Sequence, residues 1–300
     1  AYEDDCGTCD VFVDNDCIDY SIELVSGANL ISFNALPVNA SVNSIFSSLG
    51  NNAKYIISEG FGAYNIAGTW YGSLQYIEPQ KAYWLIIDQS QLLEINNSIP
   101  ISTINNPLEY NLHAGNNLIS YPFNTSQLIS DAIDQEYYNK VYALASSGGA
   151  TQLINGVWNG SLQYFDKLNG YWLVALDDMQ FEYNQPNSDS NNTRRTDERD
   201  ETPELFDYVQ SPYQAFYWIS EAFIDGEPMV VGEDWIGIFY GDECVGSREW
   251  SGISTYGIPT DVPAMGYDDE IPGLENYIVA GEYPRFVVYD ASDNIYYDAK

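Results

Sequence analysis

Residues Trp70 to Leu85 read WYGSLQYIEPQKAYWL, and residues Trp158 to Leu173 read WNGSLQYFDKLNGYWL. The two stretches are offset by 88 residues. An upstream pair keeps the same offset: Gly27-Ala-Asn-Leu-Ile-Ser-Phe33 and Gly115-Asn-Asn-Leu-Ile-Ser-Tyr121. The chain therefore holds two tandem copies of one unit, with no net insertion between the anchors. A fixed internal period decides the architecture before any local reading does. A duplicated unit without an obvious catalytic residue in both copies reads as a building block more than as an enzyme.

Residues 20–100 form the first repeat and 108–184 the second. Each opens on an apolar, β-prone stretch (Ile22 to Phe33, Tyr110 to Tyr121) in which Gly-x-Asn marks a bend or bulge. A helix-like segment follows: Val42, Ile45, Phe46 and Leu49 fall at helical spacing before Gly50, as do Leu128, Ile129 and Ile133. Short strands come next, with turns at Gly60, Gly68 and Gly72, and at Gly148, Gly156 and Gly160. Tyr83-Trp-Leu-Ile-Ile and Tyr171-Trp-Leu-Val-Ala are near-continuous apolar runs, which suits buried central strands. Residues 185–204, QPNSDSNNTRRTDERDETPE, cannot bury a core and read as a polar linker. Residues 205–300 carry β-prone runs at Ala215–Ile219, Trp235–Tyr240, Tyr277–Val279 and Phe286–Tyr289, with Gly, Pro and Asp between them, the pattern of a β-sandwich. The expected fold is mainly β, with three β-rich domains in a row.

Lys and Arg number 10 against 44 Asp and Glu, a net charge of −34 in 300 residues. Such a surface repels nucleic-acid phosphates and anionic membranes. No apolar run is long enough for a transmembrane helix. The opening Ala1-Tyr-Glu-Asp suits a mature N-terminus after signal cleavage, and an extracellular location is expected. Sequons at Asn39, Asn96, Asn124, Asn159 and Asn191 permit glycosylation.

Hard divalent cations are the natural counterions for so many carboxylates. Residues 1–19, AYEDDCGTCDVFVDNDCID, crowd three cysteines and seven acidic residues into a segment too polar to form a core, so it needs a staple. Zinc is disfavoured, because Cys6-x-x-Cys9 has no second pair and no nearby His. Asp10, Asp14, Asp16 and Asp19 instead resemble a calcium loop, although the Gly and closing Glu of an EF-hand are missing. Further oxygen-rich loops hold Asp234, Asp268, Asp269, Asp290 and Asp293. Ca2+ is therefore the expected cofactor, set against plain Asx-turn chemistry at the last pair.

Four cysteines allow three pairings. Cys6, Cys9 and Cys17 are clustered, and Cys244 is remote. One N-terminal thiol and Cys244 either clamp the chain internally, bond between subunits, or stay free. A head-to-tail bond between subunits would generate an open filament. A strand at Val11-Phe-Val13 adding to a sheet edge of the next subunit would do the same without a disulfide.

The repeated aromatics Trp70, Trp84, Trp158 and Trp172 invite a sugar-stacking reading, weighed against core packing. His113, the one histidine, aligns with Val25 across the repeats, which favours a structural role. There is no Gly-x-Ser-x-Gly elbow, Walker loop or His-Glu-x-x-His, and nothing singles out a carboxylate pair of glycosidase type. No enzymatic activity is expected.

Three stretches resemble known proteins. The GxNLISFP-type start with its later Gly-x-Trp and Tyr-Trp-Leu resembles repeats of secreted bacterial surface and matrix proteins. Gln214-Ala-Phe-Tyr-Trp, Ala222-Phe-Ile-Asp-Gly226, Gly232-Glu-Asp-Trp-Ile-Gly237, Cys244-Val-Gly-Ser-Arg-Glu-Trp250 and Tyr289-Asp-Ala-Ser resemble a C-terminal module of the same proteins. Residues 4–9, DDCGTC, resemble their Asp/Cys-rich, calcium-type stalk repeats. Relatives often carry further Cys after Cys-Val-Gly-Ser, and 251–265 has none here. The resemblance implies an extracellular, β-rich structural protein. Together the readings give a calcium-stabilised subunit of an extracellular fibre or surface layer, its partners being copies of itself arranged head to tail. The alternative is a carbohydrate-binding adhesin module, with glycans as partners.

Overall fold

A computed structural model of the chain describes residues 2–3, 9–10, 18–186, 202–252 and 259–299, and at 2–3 and 9–10 only the backbone. The fold is mainly β, with a few short helical turns. Two compact units emerge, Ala1–Ser146 with Gln163–Thr193, and Ser147–Leu162 with Arg194–Lys300. The hairpin of the second repeat thus groups with the C-terminal region. Tyr2–Glu3 pairs antiparallel with Cys9–Asp10.

In the first repeat a five-stranded sheet runs in the order Gly27–Ile31, Tyr83–Ile87, Ala53–Ser58, Phe61–Ile66, Thr69–Gly72. A smaller sheet pairs Gln91–Pro100 with Ile18–Leu24 and Ala35–Pro37. Between the sheets sits a core that includes Phe33, Phe46, Trp70 and Tyr83. The Phe46 and Trp70 ring centroids are 5.6 Å apart, a tilted aromatic contact of the kind that adds to area burial. The helix-like segment is one turn, Val42–Ile45, capped by the Ser41 side chain, with Val42 and Ile45 facing the core.

The second repeat reproduces this register at the 88-residue offset. Gly27 faces Ile87, and Gly115 faces Ala175. The bulge between Ala53 and Tyr55 returns between Val141 and Ala143. Ala63 faces Gly72 in one hairpin, and Thr151 faces Gly160 in the other. The short helix returns as Ile129–Ala132.

The duplicated motif residues each have a local physical reason. Asn29 is buried; its amide nitrogen donates to the Val25 carbonyl at 2.8 Å and the Gly27 carbonyl at 3.1 Å, and its oxygen accepts from the Val25 N–H at 2.8 Å. Asn117 does the same with His113 and Gly115. One amide side chain thus satisfies backbone groups that the bend removes from the ladder. Gly72 and Gly160 have φ of +153° and +146°, and a Cβ there would lie 2.2 Å from the Gly62 or Ala150 carbonyl oxygen. Only glycine fits so close a backbone approach. Tyr83 and Tyr171 are buried, and their hydroxyls accept the N–H groups of Glu78 at 2.7 Å and Asp166 at 2.6 Å.

The C-terminal region is sandwich-like. A four-stranded sheet runs Glu243–Glu249, Trp235–Tyr240, Arg285–Asp290, Ile295–Asp298, and a two-stranded sheet pairs Gln214–Ile219 with Thr260–Met265. A Cβ at Gly246 would lie 1.8 Å from the Pro263 carbonyl oxygen, so the two sheets meet backbone to backbone at that point. On the other face of the four-stranded sheet, Phe206 packs over Gly237 among Trp235, Phe239 and Cys244. The run Tyr277–Val279, read as a strand, forms none: Tyr277 is a buried bend residue with its hydroxyl accepting the Val209 N–H at 2.7 Å, and Ile278 makes a single bridge, to Gly266.

Candidate functional site

Three places in the chain concentrate polar or aromatic chemistry. The first is the junction of the two repeats, which lies within the first compact unit. The Ser32 N–H donates to the Leu168 carbonyl at 2.8 Å, and the Ser120 N–H donates to the Gln80 carbonyl at 3.1 Å. Each residue of the second bond stands 88 positions from its counterpart in the first. The bridges Ile31–Asn169 and Ile119–Lys81 obey the same exchange. A Cβ at Gly170 would lie 2.5 Å from the Ala82 Cβ, and these two positions are again equivalent. The repeats therefore meet reciprocally, about a pseudo-twofold axis near Ala82 and Gly170.

Glu59 sits beside this junction. It accepts from the Leu118 N–H at 3.3 Å and lies 3.4 Å from the Lys81 ammonium, and it pairs with the exposed His113 ring. Burial is the largest single influence on Glu59 and raises its pKa, but the His113 hydrogen bond, the Leu118 N–H and the Lys81 charge together lower it below the ordinary value. His113 is raised by its contact with the Ala114 carbonyl and by Glu59. Its partner is an inter-repeat carboxylate, in keeping with a structural role.

The second place is Asp261, which is buried in the second compact unit. Its carboxylate accepts from the Ala150 N–H at 3.1 Å, the Ser161 N–H at 2.7 Å and the Ser161 hydroxyl at 2.7 Å. Arg248 donates to the Asp261 carbonyl at 2.9 Å and to the Gly148 carbonyl, with 3.4 Å to the Asp261 carboxylate. This buried, fully engaged carboxylate fastens the hairpin Gly149–Ile154 and Val157–Gly160 to the C-terminal region. No sequence motif marks Asp261; only its position in a strand, beside β-branched residues, hints at burial.

The third place is a cleft of about 970 Å³ in the C-terminal region. Tyr217, Trp218, Phe223 and Tyr297 line it with aromatic rings, and the exposed Glu221 and Asp225 line it too. Tyr217 meets Phe286 edge to face at 5.2 Å between centroids.

The residues singled out in the sequence fall as follows. Cys6, Cys17, Asp14, Asp16, Asn191 and the Val11–Val13 run lie outside the described residues, and Cys9 and Asp10 are described only as backbone. Asp19 is exposed and accepts the Asn97 N–H at 2.8 Å. Asp234 is buried, with its oxygens taken by the N–H groups of Val230 at 2.6 Å and Ala291 at 3.1 Å. Asp268 is buried and accepts the Glu270 N–H at 2.9 Å, while Asp269 is exposed. Asp290 accepts from the Ser292 N–H and hydroxyl and from the Asp293 N–H at 3.3 Å, an Asx turn, with Asp293 exposed. Among the described residues no three or more His, Cys, Asp or Glu side chains converge as a metal site.

Cys244 is a buried thiol whose burial pushes its pKa up to about 11, which keeps it protonated and unreactive. The sugar-stacking expectation is corrected for Trp70, Trp84 and Trp158. All three are buried, Trp84 on an inner strand and Trp70 and Trp158 on the outermost strands of their sheets, because a large ring gains more from packing than from solvent, and Trp172 is half-buried. Asn39, Asn96 and Asn124 are exposed, but Asn159 is buried and its amide nitrogen donates to the Gln152 carbonyl at 3.3 Å and to the Val157 carbonyl. A glycan has no room at Asn159.

Among the described residues no helix is long and apolar enough to cross a membrane. No protein-family model, no curated protein and no solved structure matches the chain.

Proposed function

We propose that this chain is a structural subunit of an extracellular fibre or surface layer, stabilised by Ca2+ and assembling through its N-terminal segment and its C-terminal domain. The observation that carries this reading is where the duplicated motif is spent. Gly72, Asn29, Tyr83 and Trp70, with their counterparts, all serve bends, close backbone approaches and cores. A repeat whose shared residues are all scaffold is selected for shape. The calcium component rests on the charge of −34 and on the acidic N-terminal segment, because clustered carboxylates repel unless a cation offsets them. The resemblance to secreted bacterial surface proteins and the exposed sequon residues Asn39, Asn96 and Asn124 support the extracellular location.

A second reading, a carbohydrate-binding adhesin module, is favoured by the cleft near Trp218 and Phe223. A lining of aromatic rings and carboxylates suits a neutral polyhydroxyl ligand and disfavours an anion.

Electron microscopy of the full chain with and without a calcium chelator tests the first reading. Filaments or sheets that fray on chelation are expected. Assemblies indifferent to chelation would keep the fibre and remove calcium as its staple. Monodisperse particles in every condition would sink it and put the adhesin module first.

A further inference from the structure

The two repeats carry equivalent hairpins with opposite fates. Residues 141–165, which include the second hairpin, contain no charged residue, and this hairpin is fastened within the chain by Asp261 and Arg248. Residues 60–77 of the first repeat likewise contain no charged residue in a chain where 54 of 300 are charged. In this first hairpin the Gly62 N–H, equivalent to that of Ala150, turns to the Ser73 hydroxyl at 3.2 Å instead.

The outer faces are inverted in chemistry. Gln152 and Asn159 stand where the first repeat has Tyr64 and Tyr71. Asn159 is 2% exposed although polar, whereas Tyr64 is 54% and Tyr71 57% exposed although aromatic. Tyr64 and Tyr71 face each other across the two strands, with exposed Ile66 next along the same face. A lone exposed apolar side chain is ordinary, but a contiguous patch on one sheet face marks an interaction surface.

We infer that the outer face of the first hairpin, centred on Tyr64 and Tyr71, is the surface on which a second copy of this chain docks. Two observations choose that occupant. The chain already uses the equivalent hairpin to bind its own residues. And two copies that each carry −34 charges can approach closely only where carboxylates are few, and residues 60–77 contain none. This inference rests on the fibre-or-layer reading and assigns it a surface.

The test exchanges the aromatics for their second-repeat counterparts, Tyr64→Gln with Tyr71→Asn, which the same hairpin geometry already accommodates. Sedimentation velocity and electron microscopy compare the full-length wild-type and variant chains at matched concentrations in calcium. Self-association weakened by about tenfold or more, with unchanged thermal unfolding, is expected. Ile66→Lys provides a second variant on the same face, with the same expected loss. Wild type and both variants assembling alike would overturn the surface and leave the fibre reading standing. A monomeric wild type would overturn both. A monomeric wild type that is retained on chitin or cellulose through Tyr64 and Tyr71 would give the face to a glycan instead and also overturn the inference.

Discussion

The two repeats share register, bulge and turn positions, yet their interiors and surfaces differ in kind. The first core is built on Phe33, Phe46 and Trp70 with aliphatic neighbours. The second is rich in tyrosine: Tyr121 stacks on Phe165 at 5.3 Å, and Tyr110 and Tyr183 are buried beside them. Their hydroxyls find partners, Tyr110 with the Ser120 hydroxyl at 2.9 Å and Tyr183 with the Ser120 carbonyl at 3.2 Å. A buried phenol costs little only when it is hydrogen-bonded. The backbone plan is thus held by a few positions, Gly-x-Asn, Trp-x-Gly and Tyr-Trp-Leu, while the fill between them is free to drift.

The sharpest break of the comparison is at Asp261, which has no counterpart serving the first hairpin. Asp261→Ala removes a buried acceptor of three hydrogen bonds and leaves Arg248 without its carboxylate, at an expected cost of about 3 kcal/mol. Denaturant unfolding should show that loss, and limited proteolysis should open the Ser147–Gly148 turn but not the Glu59–Gly60 turn. Equal cleavage at both turns would show that Asp261 does not hold the second hairpin.

Next in size are Gly72→Ala and Gly160→Ala. Each puts a Cβ into a carbonyl and forces a left-handed backbone, and each should cost roughly 2–3 kcal/mol. The two losses should match, and a large inequality would break the equivalence of the hairpins. Asn29→Ala and Asn117→Ala should each cost about 1–3 kcal/mol by orphaning the same backbone groups. Unfolding midpoints of the pair check whether the clamp has equal worth in both repeats.

A smaller, stabilising change sharpens the comparison further. The hairpin turns are Ala67-Gly68 and Asn155-Gly156, all at positive φ, and Ala67 sits at +52°. Such a turn prefers Asn at its first central position. Ala67→Asn should raise stability by about 1 kcal/mol, read as a higher midpoint at unchanged m-value.

The smallest effect is the pH dependence of Glu59 and His113, which the first repeat and the second contribute jointly. The raised His113 pKa means its contribution is present below its ordinary value of 6.5 and is lost as pH rises through the folded value. The lowered Glu59 pKa means its contribution is present above 4.5 and is lost as pH falls through the folded value. The pair therefore helps most between those two values. An NMR titration should place His113 above its ordinary range, and Glu59→Gln should lower it. No change in the variant would mean that the Ala114 carbonyl alone sets the shift.

Much of this architecture was legible in the residues. The 88-residue period, the Gly-x-Asn bend and the buried Tyr-Trp-Leu strands declare themselves, because each depends on a side chain or its absence. The junction of the repeats does not, since Ser32 and Ser120 meet backbone carbonyls of Leu168 and Gln80, and a carbonyl is common to every residue. The Tyr64 face was also hidden, for an aromatic on a strand reads as core until its neighbours are placed. Asp261 and the Trp218 cleft escaped notice because they gather residues distant in sequence into one place.

The reciprocal pairing about Ala82 and Gly170 sets a limit on copy number. Each repeat offers one such face and spends it on its mate, so a third tandem unit would arrive with nothing to join. A reciprocal contact of this kind closes on the pair that makes it, so the same surface cannot carry a row of repeats.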